Sequence, residues 1–314
     1  MHLAGITRWT TVAYLAGTML LLTLALAADE RPADRNPEKR TITQSWVQEE
    51  NYQRPYWVHV PEHETGSEEN AWPVLIFLHG NGGDAQRAMG GFLRRHPAIA
   101  SQFITVFPAG YQKSWNIVSE RSKADDLKFV EAIIEELGRR DDVRGDQISI
   151  MGVSNGAALA NQIAIESQLP NIRNLITAVS PLNGFQHDGT NFKVRGADNS
   201  YRESANPKKG RRLLNISGTQ DRLVPYQGGP SSAIRAKDGK LPFIHAEESI
   251  FLWAKQLGYS GEKLAGPSRV DGAIETFSYL DGDVIHLKVN DRGHNATGAI
   301  SERVLLEFLT GGSD

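Results

Sequence analysis

Three residues in this chain have the types and the order that nucleophilic acyl chemistry needs. The first is Ser154, within Gly152-Val153-Ser154-Asn155-Gly156. A β-rich run (QISIM, 147–151) leads into that segment and an Ala-rich helical run (AALA, 157–160) leads away. G-x-S-x-G in this context predicts a strand, a sharp turn and a helix, with glycines where no side chain fits and the serine held strained at the tip. A serine hydroxyl is a poor nucleophile at neutral pH, so a histidine must take its proton and an acid must orient that histidine. In nucleophile turns of this form the acid follows the serine and the histidine comes last. Asp221, in GTQDRLVPY after the strand-like LLNIS, and His294, in NDRGHN after VIHLKV, satisfy that order. Each follows a predicted strand, which brings all three to one end of a sheet. His286 lies inside VIHLKV, His187 and His245 precede no strand end, Asp281 and Asp283 belong to a turn, and Asp291 is too close in sequence to His294.

The tetrahedral intermediate of acyl transfer also needs backbone donors for its oxyanion. The N–H of Asn155, at the start of the helix after the serine, is one. The second is expected from His79-Gly80-Asn81-Gly82-Gly83-Asp84, which ends the apolar run WPVLIFLH. Asn81 is the first choice there and Gly82 the next; a phosphate loop would need a G-K-[ST] that is absent. Trp115, in the loop after the strand-like FITVFP, is either a wall of the substrate pocket or a residue packing that loop onto the core. Asp125 and Asp126 stand at the start of an amphipathic helix (ADDLKFVEAIIEEL, 124–137), where the helix dipole accounts for them. The chemistry requires no cofactor and no metal.

The elements that must hold these residues alternate between strand and helix. Aromatic and β-branched residues alternate over 52–61, as in an early antiparallel strand. Continuous apolar runs at 72–79, 103–108, 148–151, 175–181 and 213–217 read as strands buried on both faces, with helices near 124–137, 155–169, 251–257 and 301–309. Asp281-Gly282-Asp283 between two strand-like runs is a hairpin signal. The alternation predicts one doubly wound α/β domain with helices on both faces of a mostly parallel sheet. The polar stretch 183–212, with Lys208, Lys209, Arg211 and Arg212, reads as a solvated surface loop, a lid over the site being the alternative.

Composition bounds the remaining choices. At 314 residues and 40% hydrophobic, the chain can bury one large core. A net charge of −3 offers no basic footprint for nucleic acid. The absence of cysteine removes disulfides, thiolate nucleophiles and cysteine metal sites. Near the N-terminus, Arg8 precedes an apolar run over 11–26, and Ala25-Leu26-Ala27 has the small-x-small form that a signal peptidase accepts. Residues 1–27 are therefore expected to be a signal peptide, with an uncleaved anchor as the alternative, and the protein is expected to be secreted or periplasmic. Once the segment is cleaved no stable membrane association is expected. Residues 28–40, charged and proline-containing, read as a flexible leader, and 41–314 as the catalytic domain. Oligomeric state is open.

The series RPYWVHVP, LIFLHGNGGD, FPAG with SWN, ADDLKFV, MGVSNGAALA, GTQDRLVPYQGG and GHN resembles the poly(3-hydroxybutyrate) depolymerase and feruloyl esterase family of secreted α/β-hydrolases. The resemblance runs from about residue 53 to the C-terminus. It implies the α/β-hydrolase fold, the Ser154, Asp221 and His294 triad, and small-molecule or polymeric ester substrates, either hydroxycinnamoyl esters on plant polysaccharide or short polyhydroxyalkanoates. Two positions depart from the pattern: Ala157 replaces a second glycine after the elbow, and Asn295-Ala296-Thr297 stands where a Trp-Pro pair is usual. The reading is thus an exported serine carboxylic ester hydrolase. Acyl transfer on the same triad and a non-catalytic carbohydrate-binding relative are its alternatives.

Overall fold

Apolar residues alternate between two cores along each central strand, and that alternation organises the computed structural model, which describes residues 37–62 and 71–311. The chain runs β1 (Glu38–Trp46), β2 (Glu49–His59), β3 (Trp72–Leu78), α1 (Ala85–Arg95), α2 (Pro97–Ala100), β4 (Ile104–Pro108), α3 (Asp126–Leu137) and β5 (Val143–Val153). It continues through α4 (Asn155–Glu166), β6 (Ile172–Ala178), β7 (Arg212–Gly218), β8 (Gly229–Ala236), β9 (Gly239–Phe243), α5 (Ala246–Leu257), β10 (Arg269–Asp271), β11 (Ile274–Tyr279), β12 (Val284–Val289) and α6 (Glu302–Thr310). In β3, Val74, Ile76 and Leu78 point into one core, shared with α3, α4 and α5; Leu75 points into the other, shared with α1 and α6. Ile150 and Met151 of β5 divide in the same way. The sheet is therefore covered on both faces, which is why its strands read as unbroken apolar runs.

The ten strands of this sheet are ordered β1-β2-β4-β3-β5-β6-β7-β12-β11-β10. From β4 to β12 every neighbouring pair is parallel; β1, β2, β10 and β11 add antiparallel edges. The arrangement is the α/β-hydrolase fold, a mostly parallel sheet between two helical layers. The loops leaving β3, β4, β5, β7 and β12 emerge at one end of the sheet, the place where open α/β sheets bind ligands.

Several features differ from the sequence reading. The expected signal peptide 1–27 lies outside the described residues, as do 28–36 of the expected leader. Glu38–Arg40 of that leader are already in β1, paired with Val58–Tyr56 of β2. The stretch 183–212 is not a solvated loop. Asn183, Gln186, His187, Arg195, Asn199 and Tyr201 are buried in it, and their side chains bond backbone and neighbouring side chains in place of a regular ladder. Arg211 donates to the carbonyls of Ala164, Ser167 and Leu169 at the end of α4, and Arg212 pairs with Asp283 and bonds Phe308 O. Asp125 caps α3 by accepting from the Lys128 N–H, as a helix-start acid should. Asp126 does something else: its Oδ1 meets Arg54 at 2.6 Å with both side chains about 1% exposed, and its Oδ2 accepts from Asn116 N–H. Arg54 also lies 3.8 Å over the Phe129 ring.

Candidate active site

Ser154 stands between β5 and α4 with φ 55° and ψ −118°, a region costly for any residue with a side chain. The two elbow glycines explain why the turn can exist. A Cβ on Gly152 would lie 2.2 Å from Gly156 O, and one on Gly156 would lie 2.2 Å from Leu78 O. Backbone therefore packs directly on backbone, and α4 starts hard against the end of β3. The serine is left pointing out of the turn, its own N–H donating to Ala178 O.

Ser154 Oγ is 2.8 Å from His294 Nε2, and His294 Nδ1 is 2.7 Å from Asp221 Oδ2. Asp221 is buried, and its other oxygen accepts from the N–H groups of Leu223 and Val224 at 2.8 and 2.9 Å. Those two bonds fix the carboxylate so that Oδ2 faces the imidazole. The arrangement requires Nδ1 to carry the hydrogen, leaving Nε2 to accept from the serine. The three residues come from the ends of β5, β7 and β12, Asp221 and His294 being 73 and Ser154 and His294 140 positions apart in sequence, and the parallel sheet is what joins them. The competitors lie elsewhere: His286 is wholly buried between Tyr226 and Asn215, and Asp291 accepts from Gln220.

The Asn155 N–H opens α4 and has no intrahelical acceptor. In the opposing loop the Gly82 N–H donates to Lys113 O at 2.7 Å, and the Gly83 N–H to Gly80 O. The N–H of Asn81 has no acceptor among the described residues, so Asn81 rather than Gly82 has a donor to offer. His79 holds this loop in place. Its Nδ1–H donates to Gly80 O at 2.8 Å, and its Nε2 accepts from the Gly110 N–H at 3.1 Å, tying the loop after β3 to the loop after β4. Burial holds the imidazole below the usual histidine range, in keeping with an Nε2 that must stay unprotonated.

Trp115 is not a pocket wall. It is fully buried, its ring packs 4.8 Å from that of His79, and its indole N–H donates to His79 O at 2.7 Å. The loop turns inward at this point because the Asn155 side chain accepts from the Trp115 N–H at 2.7 Å. Trp115 therefore supports the site from behind.

A cavity of about 630 Å³ opens beside Ser154, bounded by Asn81, Asn155, Ile117 and Glu120 on one side. Leu241 and Phe243 close the other side, with Leu223, Val224 and Ile234 adjoining. Much of that second wall is the β8–β9 hairpin, which the sequence reading missed although Asp238-Gly239 between two strands is a hairpin signal. Glu120 was missed too, since nothing in its neighbourhood marks an isolated glutamate. No residue of 183–212 lines the cavity. Among the described residues no three of His, Asp and Glu come together as a metal site requires.

No family model matches the chain. It is 28% identical over 198 residues to feruloyl esterase B of Piromyces equi, covering 62% of this chain and 34% of that protein. The chain thus spans about a third of the length of the curated relative it matches. Among solved structures, an acetyl xylan esterase from Aspergillus awamori superposes with a TM-score of 0.59 at 14% identity, over 88% of this chain and all of that one. Thermogutta terrifontis esterase 2 does so with a TM-score of 0.50 at 13% identity, over 89% and 96% of the two chains. In fold the chain is an α/β-hydrolase, and 62% of it is similar in sequence to a feruloyl esterase.

Proposed function

We propose that the protein is a serine carboxylic ester hydrolase working through an acyl-enzyme. The observation that carries the reading is the unbroken chain from Ser154 Oγ to His294 to buried Asp221, at 2.8 and 2.7 Å, with the serine strained outward beside an open cavity. Ser154 Oγ attacks the ester carbonyl while His294 Nε2 takes its proton. Asp221 holds the imidazole in the required tautomer and stabilises the imidazolium. The N–H groups of Asn155 and Asn81 receive the oxyanion, and each such donor contributes about 3 kcal/mol to the transition state. His294 then returns the proton to the leaving alcohol. Water, activated by His294, releases the acid from Ser154.

The feruloyl esterase relative supports an ester of a hydroxycinnamic acid as substrate; polyhydroxyalkanoate is the second substrate class. Export rests on the apolar run at 11–26 and the Ala25-Leu26-Ala27 site. The test is hydrolysis of methyl ferulate, short p-nitrophenyl esters and hydroxybutyrate oligomers by the wild type and Ser154→Ala. Wild-type turnover on at least one class, lost in the variant with folding intact, is the expected result. Equal turnover by the variant overturns the assignment.

A further inference from the structure

Glu120 is a carboxylate in the wall of the cavity whose use the acyl-transfer chemistry does not explain. Its Oε2 accepts from the N–H groups of Ile117 and Val118 at 2.9 and 2.7 Å, which pins the side chain. Its Oε1 has a single contact, 3.4 Å from the amide Nδ2 of Asn155, at the weak end of hydrogen bonding. No cation lies within ion-pair distance of the carboxylate among the described residues; Lys123 Nζ bonds the Glu120 backbone carbonyl instead. Burial raises its pKa above the usual carboxylate range, against the lowering effect of its backbone bonds, as expected of an under-partnered acid.

The surroundings say what such a group can receive. The same cavity is lined by apolar Ile117, Leu241 and Phe243 and by donor-bearing Lys113, Ser119, Arg121 and Arg235, but among the described residues none of these side chains bonds the Glu120 carboxylate. An ionised carboxylate accepts hydrogen bonds only, so a ligand that places a plain hydrocarbon against Oε1 strips its water and leaves it under-satisfied. A ligand hydroxyl at that position restores the bond. Glu120, Asn155 and Ser154 line one cavity, so an ester with its carbonyl at Ser154 can extend a group towards Glu120 Oε1.

We infer that Glu120 is a specificity-determining residue that accepts a hydrogen bond from a hydroxyl group on the bound ester, so that the site selects hydroxylated esters over their deoxy counterparts. The inference rests on the ester hydrolase reading. The hydroxyl can belong to the acyl or to the alcohol part, and both satisfy the same acceptor. A role limited to holding Asn155 is the competing account, and it predicts no discrimination between a hydroxylated ester and its deoxy partner.

The experiment measures kcat/KM of the wild type for matched pairs. For the acyl part these are methyl 4-hydroxycinnamate against methyl cinnamate, and ethyl 3-hydroxybutyrate against ethyl butyrate; for the alcohol part, 2-hydroxyethyl butyrate against propyl butyrate. At least one pair should favour the hydroxylated member by about tenfold or more, as loss of a bond to a charged acceptor implies. The pair that shows the preference identifies the part carrying the hydroxyl. Glu120→Gln and Glu120→Ala should bring that ratio towards one. Ratios near one in all wild-type pairs overturn the inference while leaving the ester hydrolase reading intact. A wild-type preference that both folded variants retain, with both members falling equally, also overturns it and leaves Glu120 as a support for Asn155. Hydrolysis of none of these esters removes the ester hydrolase reading and the inference with it.

Discussion

Gly156→Ala tests whether contact between α4 and β3 builds the catalytic geometry. The added Cβ would lie 2.2 Å from Leu78 O and 2.6 Å from His79 O. Both atoms are backbone, so no side chain can swing away. Relieving the closer contact to 3.0 Å requires the start of α4 and the end of β3 to part by about 0.8 Å. Overpacking of this kind costs about 1–3 kcal/mol, which for a domain of this size lowers Tm by roughly 2–10 °C. The catalytic consequence is larger. The same displacement moves the Asn155 N–H away from the Asn81 loop and Ser154 away from His294, and a misplacement near 1 Å costs about 100-fold in rate. Thermal unfolding followed by circular dichroism, together with kcat on a p-nitrophenyl ester, reads both effects. A folded Gly156→Ala protein with wild-type Tm and wild-type kcat would refute the claim that this contact sets the site.

Asp221→Asn keeps an oxygen for the Leu223 and Val224 N–H groups but presents an amide to His294, so the imidazole takes the wrong tautomer; kcat should fall about 10⁴-fold with Tm little changed, and a loss below tenfold would contradict the role. Asp126→Ala strands the buried Arg54 guanidinium and frees Asn116 N–H, so the denaturant midpoint should reveal a loss of about 3–5 kcal/mol; a loss under 1 kcal/mol would contradict the buried pairing. His286 has its pKa pushed down to about 3 by burial and by the nearby His245 and Lys288. The native state therefore favours neutral His286, and the stability this gives is complete above the unfolded pKa of about 6.5 and is lost as pH falls towards 3. Tm should fall across that window, and His286→Gln, where it folds, should flatten the fall; an equally steep fall in the variant would refute the assignment to this residue.

What could be read from the chain depended on whether the cause was local. Ser154 was legible because the steric demand for glycine at 152 and 156 acts within five residues. Asp221 and His294 were legible because each closes an apolar strand, and parallel strands deliver their ends to one place. Trp115 was open between two roles because the deciding contacts, with His79 O and with the Asn155 side chain, come from residues 36 and 40 positions away. The 183–212 stretch misled for a related reason. Its polar residues suit solvent by composition, yet Gln186, Asn199 and Tyr201 spend their hydrogen bonds on Ala158, Val118 and Ile117 inside the fold. Asp126 looked like a second helix-start acid because its partner Arg54 is 72 residues upstream.

The central claim is that Ser154 is a nucleophile activated by His294, and reaction with a fluorophosphonate tests it most directly. Intact-mass analysis after brief exposure at neutral pH should show one phosphonyl group per chain, peptide mapping should place it on Ser154, and His294→Ala should abolish the labelling. Labelling elsewhere, or none in the folded wild-type protein, would contradict the account.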